Sequence, residues 1–217
     1  MLGNINFPEG ITWDIKYLNG YDMCGEGFSV TTMEYAYTQG QMPVVDIKYD
    51  TSKVTNFSGA FYQCQKLIKC PNIDMTSATN ASYMFYYCTA LRNIPFFNTP
   101  NLSNMSNMFN NCNNLKSIPL LDCSRVSSMS TMFGWSSIYS LTDLGGFKNL
   151  KSSCTGNLNL LPNLTVQSLM NVINNLYDFR ANGDSTTTRT LQLGTTNLNK
   201  LTDEQKAVAT NKGWSLT

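Results

Sequence analysis

A single spacing constrains this chain more than any other feature: apolar residues recur every 24 positions through its centre. Phe61, Phe85, Phe109 and Phe133 keep that step, as do Cys64, Cys88 and Cys112, with Ser136 in the fourth place. Leu67, Leu91 and Leu115 form a further row, Pro71, Pro95 and Pro119 another, and Val54, Ala78, Leu102, Val126 and Leu150 a longer one. Phe57, Ala81, Met105 and Met129 add one more. So many coincident rows at one fixed period are the signature of a repeat architecture, in which a unit too small to bury its own apolar side stacks against its neighbours.

The pattern inside a unit predicts what each half does. Val126, Met129, Met132 and Phe133 fall at offsets 0, 3, 6 and 7, the spacing of one helical face, and Leu102, Met105, Met108 and Phe109 repeat it. A short helix is expected from about the Val54 row to the Cys64 row. Asp50, Asp74, Asn98 and Asp122 precede it, where a short polar acceptor can cap the first-turn amides. A calcium or catalytic reading of that acidic row is weaker, because Asn98 breaks the charge and calcium needs some six to eight oxygens. The segment that follows, as in Leu91-Arg-Asn-Ile94-Pro and Leu115-Lys-Ser-Ile118-Pro, suits one strand ending near proline. Strands of successive units would lie about 4.8 Å apart in one parallel sheet. The expected fold is therefore an α/β solenoid, one short helix and one strand per 24 residues.

These residues resemble the BspA-like leucine-rich repeats, whose pattern includes a segment like Ser52-Lys-Val-Thr-Asn-Phe-Ser-Gly-Ala-Phe61 and a following Cys-x-x-Leu. The resemblance covers roughly residues 44–150. Phe57 and Ala60 stand where methionines are usual, and Ser136 replaces the cysteine of the fourth unit. Segments such as Ser168-Leu-Met-Asn-Val-Ile-Asn-Asn-Leu176 look like the C-terminal region carried by such proteins in gut bacteria and their phages. The resemblance implies leucine-rich-repeat coils and a cell-surface adhesin or a phage-encoded protein, with no enzymatic activity.

Both ends of a stacked array expose core, and atypical terminal segments normally cover them. Residues 1–49 are acidic and aromatic, with Trp13, Tyr17, Tyr21, Phe28, Tyr35 and Tyr37, show no clean period, and are expected to form an N-terminal cap. Residues 50–152 carry the repeats, and 153–217 an α/β cap. In that cap a helix is expected from near Thr165, a strand at Thr190-Leu-Gln-Leu193, and a capping box at Thr202-Asp-Glu-Gln205. The helix it opens should stop at Gly213, before a final strand around Trp214 and Leu216.

Composition narrows the function. The 217 residues include no histidine, which removes the commonest general base and metal ligand, so no catalytic residue, metal ligand or cofactor is assigned. Seven cysteines, none in a C-x-x-C pair, argue against a disulfide framework or a zinc site. The cysteine row is expected to be buried and reduced, since free cysteine behaves as a small hydrophobe. Replacing Cys88 by serine would then bury an unsatisfied hydroxyl.

Net charge is +1 overall, although residues 1–50 carry −5 (two basic, seven acidic) and residues 51–152 carry +5 (eight basic, three acidic). The split could orient a neighbour but is too mild for nucleic acid. Neither a membrane-spanning run nor a basic-then-apolar leader is visible at Met1-Leu-Gly-Asn-Ile-Asn-Phe.

The expected function is a non-catalytic recognition or adhesion module that binds a protein or glycan at a cell surface. The alternative is a structural or host-binding protein of a phage virion, a tail or fibre component touching neighbouring virion proteins. The candidate binding residues are Lys69, Arg92, Asn93, Lys116 and Ser117, which point outward if the leucines and isoleucines flanking them point in. Tyr62, Tyr86 and Tyr87 could form a second, aromatic patch, or simply pack against the next coil.

Overall fold

The computed structural model describes residues 13–14, 30–41, 45, 47, 50–135, 138–151 and 157–217. Ser136 and most of residues 1–49, including Tyr17, Tyr21 and Phe28, lie outside the described residues.

Successive 24-residue units lie side by side, in parallel register, along two separate rows. One row runs Thr32, Asn56, Asn80, Asn104, Ser128, and the other Lys69, Asn93, Ser117. The second row continues from β3 (Ser117–Ile118) to β5 (Asp143–Leu144), and β4 (Leu121–Asp122) pairs likewise with β6 (Phe147–Lys148). From Asn56 to Lys148 the strands along these rows are one or two residues long, shorter than the Leu91–Pro95 segment the sequence suggested. Proline at 71, 95 and 119 lacks an N–H and ends the ladder soon after it starts.

The segment from the Val54 row to the Cys64 row is not a helix. Its amides alternate in purpose. Those of Phe57, Gly59, Phe61 and Gln63 donate across to the carbonyls of Asn80, Ser82, Met84 and Tyr86, while those of Ala60, Tyr62 and Cys64 donate back three residues to Phe57, Gly59 and Phe61. A helix would spend every amide within the segment. Here half of them stitch one unit to the next, giving a ladder of turns.

Two residues per unit adopt left-handed backbone to aim these amides, for example Gly59 (φ 61°) and Gln63 (φ 58°), then Tyr83 (58°) and Tyr87 (61°). Apolar residues at offsets 0, 3, 6 and 7 still face inward, which is why the segment mimics a helix in sequence. The acidic row is corrected with it: Asp50, Asp74 and Asp122 each accept from the amide two residues on, of Ser52, Thr76 and Ser124, closing side-chain turns and not capping a helix.

Like residues stack over like residues in the core. Tyr37, Phe61, Phe85, Phe109 and Phe133 form a column with ring centroids 5.5, 5.3, 5.8 and 6.4 Å apart and planes within 17° of parallel. Leu67, Leu91, Leu115 and Leu141 are fully buried on the strand side. Val54, Ala78 and Leu102 are buried too, so each sequence row becomes one line of core.

The array reaches one unit further toward the N-terminus than the sequence spacing shows. Met33, Tyr35, Tyr37 and Gln39 donate to the carbonyls of Asn56, Ser58, Ala60 and Tyr62, the same pattern as every later unit. Before it, β1 (Trp13–Asp14) pairs in parallel with β2 (Val30–Thr32). Glu34 and Tyr35 occupy positions that hold serine and glycine one unit later, so the sequence match is poor there although the backbone match is good.

The C-terminal segment adds α1 (Val166–Asn175), capped by the Thr165 hydroxyl accepting from the Ser168 amide. β7 (Arg189–Leu191) pairs in parallel with β8 (Trp214–Leu216). Between them lie α2 (Gly194–Leu198), which the sequence reading missed, and α3 (Asp203–Asn211), opened by a capping box of Thr202 and Gln205. Lys212 sits at the end of α1 and donates to the carbonyls of Ile173 and Asn174 at 3.2 and 2.6 Å, where a cation favours the negative end of the helix.

Candidate recognition surface

The strand row presents two outward residues per unit, because a buried leucine precedes them and a buried cysteine or isoleucine follows. Leu67 and Cys70, Leu91 and Ile94, and Leu115 and Ile118 are buried, while Lys69, Arg92, Asn93 and Lys116 are exposed and Ser117 is half-buried. The backbone fixes their order across the surface. Arg92 donates its amide to the Ile68 carbonyl at 3.1 Å, and Lys116 to the Arg92 carbonyl at 2.8 Å. Ile68, Arg92 and Lys116 therefore form one line and Lys69, Asn93 and Ser117 the line beside it.

Within the second line the Ser117 hydroxyl donates to the Asn93 side-chain oxygen at 3.0 Å. Arg92 and Lys116 stand about one strand spacing apart, near 4.8 Å along the backbone, a like-charged pair that nothing on its own line neutralises. Such a row offers cationic and hydrogen-bonding donors to a carboxylate, sulfate or sugar hydroxyl.

A second surface lies on the turn ladder. Tyr62 stacks on Tyr86 with centroids 4.9 Å apart and planes 5° from parallel. Tyr83 and Tyr87 lean on Tyr86 at 5.7 and 5.8 Å, and Tyr35 meets Tyr62 edge-on at 5.7 Å. Sequence reasoning placed Tyr62, Tyr86 and Tyr87 together but missed Tyr35 and Tyr83. Those two fall 27 and 3 residues before Tyr62 and Tyr86, not at the repeat step, so the signal that finds them is the four-residue recurrence of left-handed backbone.

Burial first, and then the neighbouring Tyr62, Tyr87 and Tyr83, push the Tyr86 phenol above its ordinary value. In the next unit the same positions carry amides: Asn111 donates to the Asn110 side-chain oxygen at 2.7 Å, and Asn110 to that of Asn107 at 2.8 Å.

The cysteine row lies in the core. Cys64, Cys70, Cys88, Cys112 and Cys123 are free and buried. Burial pushes the Cys64 thiol up to about 11 and raises those of Cys70, Cys88, Cys112 and Cys123 as well, so none is a thiolate at neutral pH. Among the described residues, no group of three acidic or cysteine side chains converges as a metal site would require, and no helix is long and apolar enough to cross a membrane.

The family described as "Mycoplasma protein of unknown function, DUF285" matches residues 29–143. That span opens at β2, one unit before the rows visible in the sequence, and closes at the start of β5. No curated protein and no solved structure matches the chain.

Proposed function

This chain belongs to the DUF285 family, and on that premise we propose that residues 30–151 form a BspA-like leucine-rich-repeat solenoid acting as a non-catalytic recognition module. It would adhere to a protein or glycan at a cell surface through the strand row of Lys69, Arg92, Asn93, Lys116 and Ser117. One observation carries the reading: residues that differ from unit to unit sit exposed on the strand row, while the residues that repeat lie buried beneath them. A rigid scaffold that holds its core constant and varies one outward row has the organisation of a repeat protein's binding face.

The test is adhesion of beads coated with the chain to immobilised mucin and to cultured epithelial cells, compared with the double reversal R92E/K116E. Retention of the native chain should exceed that of the reversed chain, most clearly at low salt, where surface charge is least screened. Equal retention of the two proteins, or none of either, would sink the reading. The fold is tested separately by an experimental structure, which should reproduce the two parallel rows through Asn80 and Asn93.

A further inference from the structure

We propose that the tyrosine cluster on the turn ladder, together with the adjoining asparagines, is a second binding site, and that it takes a neutral oligosaccharide or polysaccharide.

The first argument is conformational. Tyr35, Tyr83 and Tyr87 all occupy left-handed backbone, with φ of 52°, 58° and 61°. In the units alongside, Gly59 aligns with Tyr35 and Tyr83, Asn107 with Tyr83, and Asn111 with Tyr87, all residues that adopt this backbone readily, while Gln63 aligns with Tyr87 on its other side. A bulky aromatic there is the costly choice, and strain that is tolerated where a cheaper residue is in use one unit away points to a function for the side chain.

The three side chains also gather in one place. Tyr35 lies against Gly59, whose lack of a side chain leaves room for the ring, and Tyr83 and Tyr87 flank the Tyr62–Tyr86 stack. Tyr83 and Tyr87 remain 37% and 39% exposed, so their rings are not there to fill core.

The second argument is chemical. Around the tyrosine cluster the turn-ladder positions 38, 39, 62, 63, 83, 86, 87, 107 and 111 reach the surface and hold threonine, glutamine, tyrosine and asparagine, with no charged residue among them; Gly59 and Asn110 are buried, and half-buried Glu34 lies at the margin, next to Tyr35. This contrasts with the strand row, where Lys69, Arg92 and Lys116 fall. A surface of aromatic rings and amides without charge matches a ligand that has both apolar C–H faces and many hydroxyls but no net charge. Sugars have that make-up: ring C–H groups lie against tyrosine, and amides such as Gln63, Asn107 and Asn111 exchange hydrogen bonds with the hydroxyls. The Gln39 amide already donates to the Gln63 side-chain oxygen at 3.1 Å, which orders this edge before any ligand arrives. The site is independent of the strand row and of the adhesion reading built on it.

The experiment applies the full chain to an array of neutral and anionic oligosaccharides, with laminarin, yeast mannan and hydroxyethylcellulose as soluble competitors. The variants are Y83N/Y87N, which copies the next unit's asparagines, Y83F/Y87F, which keeps the rings, and R92E/K116E. Neutral glycans should be retained by the native chain, with little change at about 0.5 M salt, where exposed charges are largely screened. Y83N/Y87N should lose binding by roughly tenfold or more, as removal of central aromatic contacts does, with a melting temperature no lower than the native chain's. Y83F/Y87F should keep it within about twofold, because the ring faces that would meet the sugar are retained, and R92E/K116E reports separately on anionic glycans held by the strand row. The proposal is overturned if no neutral glycan binds, if only anionic glycans bind, or if Y83N/Y87N binds as well as the native chain. A native dimer that Y83N/Y87N turns into a monomer would also overturn it, since the occupant would then be a second copy of the chain.

Discussion

The thiol of Cys88 donates a hydrogen bond to the carbonyl oxygen of Phe61 at 3.0 Å, and the same oxygen accepts from the amide of Cys64 at 3.2 Å. The link recurs one unit on, from Cys112 to Phe85 at 3.0 Å, and one unit back, from Cys64 to Tyr37. Each cysteine thus joins its own unit to a carbonyl of the unit before. The repeat step preserves cysteine because it is small, apolar and still able to donate once.

That geometry changes what a serine at this place would do. Its hydroxyl inherits the Phe61 carbonyl and is not left unsatisfied, contrary to the expectation drawn from sequence. Cys88→Ala, which removes the donor and leaves a small void, should cost about 1–2 kcal/mol, and Cys88→Ser should cost no more than Cys88→Ala. Urea unfolding of the three proteins under reducing conditions measures this; a serine variant less stable than the alanine variant would contradict the assigned bond.

The buried thiols also set a pH dependence. Folded-state values lie above those of the unfolded chain because burial disfavours the thiolate, with Cys64 at about 11. Below the unfolded value both states are protonated and nothing is lost. Above it the unfolded chain ionises while the folded chain does not, so the folded state holds more protons and stability falls as pH rises. The loss should begin near pH 9 and approach about 1.4 kcal/mol per pH unit for each thiol concerned. Urea midpoints at pH 7 and pH 10 check it, and alkylation of the native protein at pH 8 should leave Cys88 and Cys112 unlabelled.

Gly59 is the position where a methyl group should hurt most. Its φ of 61° disfavours any side chain, and an added Cβ would run into the Tyr35 ring. Gly59→Ala should destabilise by about 1–3 kcal/mol and free Tyr35 from its place beside Tyr62, seen as a lower melting temperature and a changed tyrosine fluorescence. A melting temperature equal to the native one would mean that Tyr35 does not lie over Gly59.

How much of this was legible beforehand follows from what a period can and cannot carry. Phe61, Phe85 and Phe109 announce both the unit length and the inward direction, and both hold in the structure, as does the outward placement of Lys69, Arg92, Asn93 and Lys116. The error was to take offsets 0, 3, 6 and 7 for a helix. Inward spacing of that kind reports which side chains face the core and says nothing about where the amides go. In this fold those of Phe57, Gly59 and Phe61 go to the neighbouring unit. The tyrosine cluster stayed hidden for the same reason, since Tyr35 and Tyr83 meet their partners only once the turn geometry is known. Thr202 and Gln205 were read correctly because a capping box is local and needs no neighbour.

The asparagine row holds the units in register from the outside. Asn80 forms a parallel bridge to both Asn56 and Asn104, and its side-chain oxygen accepts from the Ser82 amide at 3.0 Å. Asn56 and Asn104 do the same for Ser58 and Ser106. Asn80→Ala should cost about 1–2 kcal/mol through the loss of that acceptor, and Asn80→Asp, which keeps the oxygen, should cost less. Thermal melts of both variants decide; equal losses would mean that the acceptor oxygen is not what holds the row.

The last prediction concerns the end of the array, where the final unit has no successor to take up its backbone groups. α1 supplies what a further unit would. The Thr165 amide and the Ser168 hydroxyl both donate to the Thr142 carbonyl at 3.1 Å, and the Ser168 oxygen accepts from the Leu144 amide at 3.0 Å. Asn149 donates to the Asn175 carbonyl at 2.8 Å, and Tyr177 to that of Leu150 at 3.2 Å. Leu169, Val172 and Ile173 are buried on the inward side of the helix. Removing residues 164–217 would leave Leu144, Phe147 and Leu150 facing water and the Thr142, Leu144 and Leu150 groups unpaired, so the truncated chain should aggregate or melt without a cooperative transition. Gel filtration and circular dichroism melting of residues 1–163 measure both. A soluble monomer with a sharp transition would show that the repeats close themselves and that α1 is not their cap. In that case Lys212→Ala, which removes a cation from the α1 carbonyls at Ile173 and Asn174, should leave the repeat transition untouched; if α1 is the cap, the same substitution should lower it.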